Sequence, residues 1–217
     1  MIYELRRYTL HPGRRDTLIE LFEREFVETQ EAAGMRVTGS FRDPDAPDTF
    51  PWLRAFPGMD ARRAALEAFY DGPVWRAHRD AANATMIDSD DVLLLHVVDG
   101  AFPARDRPPV GTAERPASLY TATIYHVDDG FAAFFAREAV PVLAEAGVPP
   151  IVCLETEHSE NTYPRLPVRT GEQVFVWFAR FETPGDEREV DLPMLKSRLT
   201  AAPERIRLRP TARSAMR

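Results

Sequence analysis

Two stretches of the chain, YELRRYTLHPG at Tyr3–Gly13 and YTATIYHVDDG at Tyr120–Gly130, superimpose at an offset of 117 residues. Tyr8 falls on Tyr125, Leu10 on Val127 and Gly13 on Gly130. Each copy reads as a strand, a tight turn and the start of a helix. Further echoes follow in order. Ala33-Gly34 returns as Ala146-Gly147, and TFPWLRAF (Thr49–Phe56) returns in QVFVWFARF (Gln173–Phe181), with Trp52 on Trp177 and Phe56 on Phe181. A chain that repeats its own punctuation in this way is built from two similar units, and that limits its possible folds.

The first unit can be read element by element. Ile2–Leu10 alternates as a strand, and Pro12-Gly13 ends it. Arg14–Ala33 carries a helical stripe of Leu18, Phe22 and Phe26, with Gly34 placed as the left-handed cap. Met35–Phe41 and Thr49–Phe56 are strands around a DPDAPD turn. Met59–Phe69 is a short helix, and Pro73 opens another that ends near Thr85. Val92–Val98 is a strand whose apolar run indicates burial on both faces. Strand, helix, strand, strand, helix, strand is the ferredoxin-like split βαβ order.

Asp99–Ala117 holds four prolines among polar residues and reads as a linker. The second unit then gives strand Leu119–Val127, helix Asp128–Ala146 with a kink at Pro141, strands Val148–Glu155 and Gln173–Phe181, helical residues around Leu192–Leu199, and a last strand Arg205–Arg209. The expected fold class is α+β, with ferredoxin-like repeats over 1–99 and 118–217 and a proline-rich linker at 100–117. Each four-stranded antiparallel sheet would carry helices on one face only. The bare faces then cover one another in a barrel-like core, preferably within one chain.

YELRRYTLHPG, FYDGPVWRAH before a strand, and ENTYPRLPVRTGEQVFVWFARF followed by RLRPTARS together resemble the NIPSNAP family. That family is similar to the dimeric α+β-barrel superfamily, which includes small monooxygenases, isomerases and heme-binding enzymes. The resemblance implies the fold already suggested by the repeat. It implies little chemistry, since the fold hosts many reactions. The second half lacks a clear counterpart of YDGPVWRAH, so any pocket should be asymmetric.

Glu4, Arg6 and Tyr8 share one face of the first strand. If that face lines the barrel interior, Arg6 could orient an anionic or carbonyl substrate and Tyr8 could donate a hydrogen bond. The competing reading is a structural Glu4–Arg6 ion pair. Trp52, Arg54 and Trp177 would form a flat apolar wall with one charge, or simply fill core. Tyr125, the repeat of Tyr8, joins this pocket-lining set. His78 shares a helix face with Trp75, after Tyr70. It is the candidate acid or base, or else a packed histidine. The long loop Ser159–Gly171 offers Asn161, Arg165 and Arg169 to close over an anionic ligand. Glu155, Glu157, His158 and Glu160 are dense in metal donors but match no zinc or iron spacing, so no metal is expected.

No cofactor is expected; heme, held by His78 or His126, is the alternative. No P-loop, GxGxxG or GxSxG occurs. The net charge of −7 argues against nucleic-acid binding. No apolar run reaches membrane-spanning length. The single cysteine, Cys153, sits in an apolar run and fits a reducing, cytoplasmic setting. The expected partners are a small-molecule ligand and further copies of the chain in a homo-oligomer. The functional expectation is a small-molecule enzyme of bacterial specialised metabolism, catalysing a rearrangement, elimination or cofactor-free oxidation. The alternatives are a non-catalytic ligand-binding or scaffold protein and a heme-binding member of the superfamily.

Overall fold

The structure is a computed structural model and describes residues 1–103 and 105–217. The first half runs β1 (Ile2–Leu10), α1 (Arg15–Leu21), α2 (Val27–Ala32), β2 (Arg36–Arg42), β3 (Thr49–Phe56), α3 (Met59–Tyr70), α4 (Pro73–Asn83) and β4 (Met86–Gly100). A wider turn of π geometry over Phe22–Phe26 joins α1 to α2 in one continuous helix. The second half runs β5 (Leu119–His126), α5 (Phe131–Glu138), α6 (Val140–Glu145), β6 (Val152–Thr156), β7 (Val174–Phe181) and β8 (Glu204–Pro210). Pro141 lies in the first turn of α6, so the expected kink is a break between two short helices. The helical residues expected around Leu192–Leu199 are 3₁₀ turns at Pro193–Arg198.

The repeated glycines explain the shared punctuation. Gly13 and Gly130 turn the first strand of each half into its helix with φ of 74° and 76°. Gly34 and Gly147 end those helices at φ of 97° and 76°. Behind them the amides of Met35 and Val148 donate back to the carbonyls of Gln30 and Leu143, at 3.1 and 2.8 Å. A left-handed residue with this back-donation is the cap that glycine adopts at least cost.

The eight strands close into one barrel in the order β1-β3-β2-β8-β5-β7-β6-β4, and all pairs are antiparallel. Each half contributes a sheet of the same internal order. The halves join twice, where β2 meets β8 and where β4 meets β6. The barrel therefore closes within one chain, and closure removes the unpaired edges an open sheet would carry.

Alternation decides what fills it. Leu5, Leu53, Leu95, Ile124, Val176, Phe178 and Leu208 point inward and form one buried apolar core drawn from both halves. At one mouth, Arg7 bridges Asp91 (2.8 Å) and Glu204 (2.9 Å), and Arg169 bridges Asp91 (3.2 Å) and Glu172 (2.6 Å). His126 completes this ring between Glu172 and Glu204, at 3.4 and 3.6 Å. Elsewhere in the core Tyr3 and Phe178 pack on Phe102, and the C-terminal Met216 is fully buried among them. The inward-facing side chains make the barrel interior a buried apolar core.

Candidate functional site

The expectation that Glu4, Arg6 and Tyr8 line the barrel interior is corrected by the register of β1. Tyr3, Leu5 and Arg7 take the inward face. Glu4, Arg6 and Tyr8 take the outer one, beneath the helices of the first half. Trp52 and Arg54 sit opposite Arg6 and Glu4 on β3 and share that outer face. The physical reason is the inner core itself: a carboxylate with three guanidiniums would be costlier in closed hydrocarbon than beneath helices that bring partners.

Those partners arrive from several elements. Glu4 accepts from Arg6 Nη1 at 2.7 Å, Arg54 Nε at 2.7 Å and Arg62 Nε, on α3, at 2.6 Å. All four residues are at most 1% exposed. Burial alone would push the Glu4 carboxyl up; Arg54, Arg6 and Arg62 together outweigh it and hold the carboxyl well below the usual carboxylate range. Arg62 Nη1 donates to Asn161 Oδ1 (2.9 Å), and Arg54 Nη1 donates to Gln30 Oε1 (3.2 Å). Arg6 Nε donates to Tyr8 Oη at 3.1 Å, and burial pushes the Tyr8 hydroxyl up.

Aromatic rings roof this cluster. Phe22 meets Trp52 edge-on at 4.9 Å, and Tyr70 meets Trp75 edge-on at 4.9 Å. Tyr163, from the long second-half loop, stacks on Tyr70 at 6.1 Å. The cavity left between Tyr8, Trp52, Tyr70 and Trp75 measures about 30 Å³. That is room for one or two water molecules, so the site is filled by its own side chains.

The second half repeats the framework without the filling. By offset and register, Thr121, Thr123 and Tyr125 stand where Glu4, Arg6 and Tyr8 stand, and Ala179 and Trp177 stand where Arg54 and Trp52 stand. Among the described residues no pair of helices equivalent to α3 and α4 covers this face; the irregular segment 183–203 crosses it. The result is a cavity of about 480 Å³ over Thr121, Thr123, Tyr125 and Trp177. This lies within the range of small-molecule clefts. Val148, Leu192, Leu195 and Leu199 give it apolar walls, and Arg188, Glu189, Asp191, Lys196 and Arg205 add charge. Arg205 is paired with Glu187 at 2.9 Å. Burial pushes the Tyr125 hydroxyl up, against the smaller effects of Trp177 and Arg205 beside it. The Trp177 indole N–H lies close to that hydroxyl but not in hydrogen-bonding geometry, and it is buried without a partner.

The remaining candidates separate. Glu4, Arg6, Tyr8, Trp52, Arg54, Tyr70, Trp75 and Asn161 gather in the filled first-half site, whereas Tyr125 and Trp177 belong to the open one. His78 lies on α4, a third exposed, with Nε2 3.6 Å from Glu25 and its ring against Phe26; it lines neither cavity. Arg165 pairs with Asp71 at 2.9 Å on the surface, and Arg169 belongs to the charged ring at the barrel mouth. His96 is partly exposed between Glu155 (3.2 Å) and Glu157 (3.5 Å). Among the described residues no three His, Cys, Asp or Glu side chains group as a metal site, and no helix is long and apolar enough to cross a membrane. Thr121, Thr123, Arg205 and Lys196 are pocket residues that the sequence reading missed. Extending the 117-residue offset from Tyr8 back to Arg6 and Glu4 would have found the two threonines.

Residues 3–99 match the NIPSNAP family model. No curated protein matches the chain. Solved structures share the whole fold at low identity. A candidate monooxygenase from Fusobacterium nucleatum subsp. nucleatum is 11% identical with a TM-score of 0.61, covering 97% of this chain and 92% of its own. A candidate monooxygenase from Lactobacillus acidophilus is 13% identical with a TM-score of 0.58, covering 98% and 97%. An anthrone oxidase-like protein is 15% identical with a TM-score of 0.58, covering 100% and 94%.

Proposed function

With residues 3–99 a NIPSNAP domain and both halves closing one α+β barrel, we propose that the chain is a small-molecule enzyme whose working pocket is the second-half cavity. One observation carries this reading. At equivalent positions the first half is filled by an ion cluster, leaving about 30 Å³, and the second is open at about 480 Å³. The ligand class follows from the walls. Trp177, Tyr125 and the leucines of the crossing segment suit a compact, largely apolar or aromatic molecule. Thr121, Thr123, Arg205 and Lys196 suit an oxygen on it that gains negative charge.

Tyr125, kept protonated by burial, is the donor toward such an oxygen. Rearrangement, elimination and cofactor-free oxidation all profit from donors aimed at a developing oxyanion. The monooxygenase and anthrone oxidase descriptions of the structural neighbours agree with the oxidative member of that set. No histidine lines the cavity, so the proton acceptor would be Glu189 or Asp191. That same lack favours, as second reading, a ligand-binding protein without turnover. The residues lining this cavity offer no imidazole or thiolate for heme iron, and no step is routed through heme. Homo-oligomer formation and a cytoplasmic setting complete the proposal. The first is checked by light scattering, since closure within the chain removes the sheet-pairing reason for it.

The test is native mass spectrometry after incubation with a bacterial metabolite extract. Wild type should retain a small-molecule adduct that Thr123→Trp, which fills the cavity, does not. Recovery of a chemically altered molecule supports the enzyme; recovery of an unaltered one supports the binding reading. An adduct equally retained by Thr123→Trp contradicts both.

A further inference from the structure

A second cavity lies away from both pseudo-equivalent sites, at the seam where β2 of the first half meets β8 of the second. Arg42 and Arg209 are direct cross-strand partners there. Like charges set directly opposite each other in a sheet are destabilising. Arg15 and Arg115 line the same cleft, with Pro44, Pro116 and Pro210 as stiff walls, around a space of about 510 Å³.

The compensation is thin. Arg42 pairs with Asp16, a mostly exposed side chain, and Arg42 Nε is buried without a partner. Arg15 Nη1 donates to two backbone carbonyls, Asp43 at 2.7 Å and Ala46 at 3.3 Å. Burial and then the charge of Arg42 push Arg15 down, and these outweigh Asp16, Asp43 and Asp48 nearby. Arg115 and Arg209 have no carboxylate partner among the described residues; Arg207, the next arginine along β8, is paired with Glu187 and Asp45. Four arginines thus line one cleft in a protein whose net charge is −7. A local conflict of this kind is of the sort that proteins keep at sites that bind something.

We propose that this cleft binds the phosphate or diphosphate group of a small molecule, with Arg42 and Arg209 as the central pair and Arg15 and Arg115 at its sides. Guanidinium forks match phosphate oxygens two at a time, and several converging forks favour a multiply charged anion. A proline-walled surface cleft of this volume suits a small molecule better than a duplex or a membrane surface.

Isothermal titration with inorganic pyrophosphate tests this, with citrate as the comparison anion. Expected is saturable one-site binding of pyrophosphate, weakened at least tenfold by Arg42→Gln and by Arg209→Gln, partly kept by Arg209→Lys, and unchanged by Thr123→Trp. Without anion, Arg209→Gln should melt at or above the wild-type temperature, because it relieves the Arg42–Arg209 repulsion. Four outcomes would overturn the assignment: no saturable binding, binding indifferent to both glutamine variants, citrate bound as tightly as pyrophosphate, or a lower melting temperature for anion-free Arg209→Gln.

Discussion

Glu4 and Thr121 occupy the same position on the first strands of the two halves, and exchanging the carboxylate for a hydroxyl separates a filled site from an open one. Around Glu4, Arg6, Arg54 and Arg62 collapse onto one anion. Around Thr121 the matching positions are Thr123 and Ala179, and a cavity stands in their place. On the proposed function, the first half is the scaffold and the second the binding half of one duplicated design.

Glu4→Gln therefore strands three buried cations, and it should cost about 3–5 kcal/mol in urea unfolding. Thr121→Val, at the equivalent position, should cost about 1 kcal/mol or less, because that hydroxyl faces a cavity. Equal costs would show that the two positions do not differ in the way described.

Acid should unfold the protein through the same group. The folded carboxyls of Glu4 and Glu204 lie below their unfolded values: burial opposes this, and Arg54, Arg6 and Arg62 in one case and Arg7 in the other prevail. A depressed carboxyl contributes stability that is complete above the ordinary range of about 4 to 4.5 and lost as pH falls through the folded value. The melting temperature should thus hold from neutral pH to about 5 and fall steeply below it. In Glu4→Gln the fall should be shallower. An unchanged acid slope in that variant would place the sensitivity elsewhere.

Cys153 should be inert in the native state. Burial, with Asp99 adding to it, pushes its thiol up to about 12, so almost no thiolate is present at neutral pH. Alkylation by iodoacetamide should be at least about a hundredfold slower in the folded protein than in urea. Comparable rates would mean that the β6 face opens readily.

Much of this architecture was legible in the chain. Gly13 with Gly130, Gly34 with Gly147 and Trp52 with Trp177 announce a duplication, because a left-handed turn, a helix cap and a packed indole each demand one residue type. The inward face of β1 was not legible. Alternation shows that Glu4, Arg6 and Tyr8 share a side, but Tyr3 and Leu5 against Ile2 and Tyr8 leave both sides partly apolar. Arg62, which settles the matter by reaching Glu4 from α3, sits in a run, ARRAALEAFY, whose charges read as a solvated helix face. The cavity was hidden for another reason. Its wall, Arg188–Leu199, was legible only as helical residues around Leu192–Leu199; it is irregular up to the 3₁₀ turns at Pro193–Arg198, so its path across the sheet left no periodic signal.

Asn161 ties the halves together by accepting from Arg62 Nη1. Asn161→Ala should cost about 1–3 kcal/mol, the range for a hydrogen bond to a charged group left unmade. It should also raise the protease sensitivity of the 157–171 loop. A neutral substitution would mean that the loop is held without Asn161, by contacts such as Tyr163 on Tyr70, Arg165 with Asp71 and Arg169 with Asp91.

Hydrogen exchange read by mass spectrometry, on the protein with and without its retained ligand, tests the central claim most directly. Slower exchange is predicted for the amides of Thr121–Tyr125 and Arg188–Leu199 on binding, with Met59–Asn83 unchanged. Protection of Met59–Asn83 with no change in β5 or the crossing segment would contradict the account and return the working site to the first half.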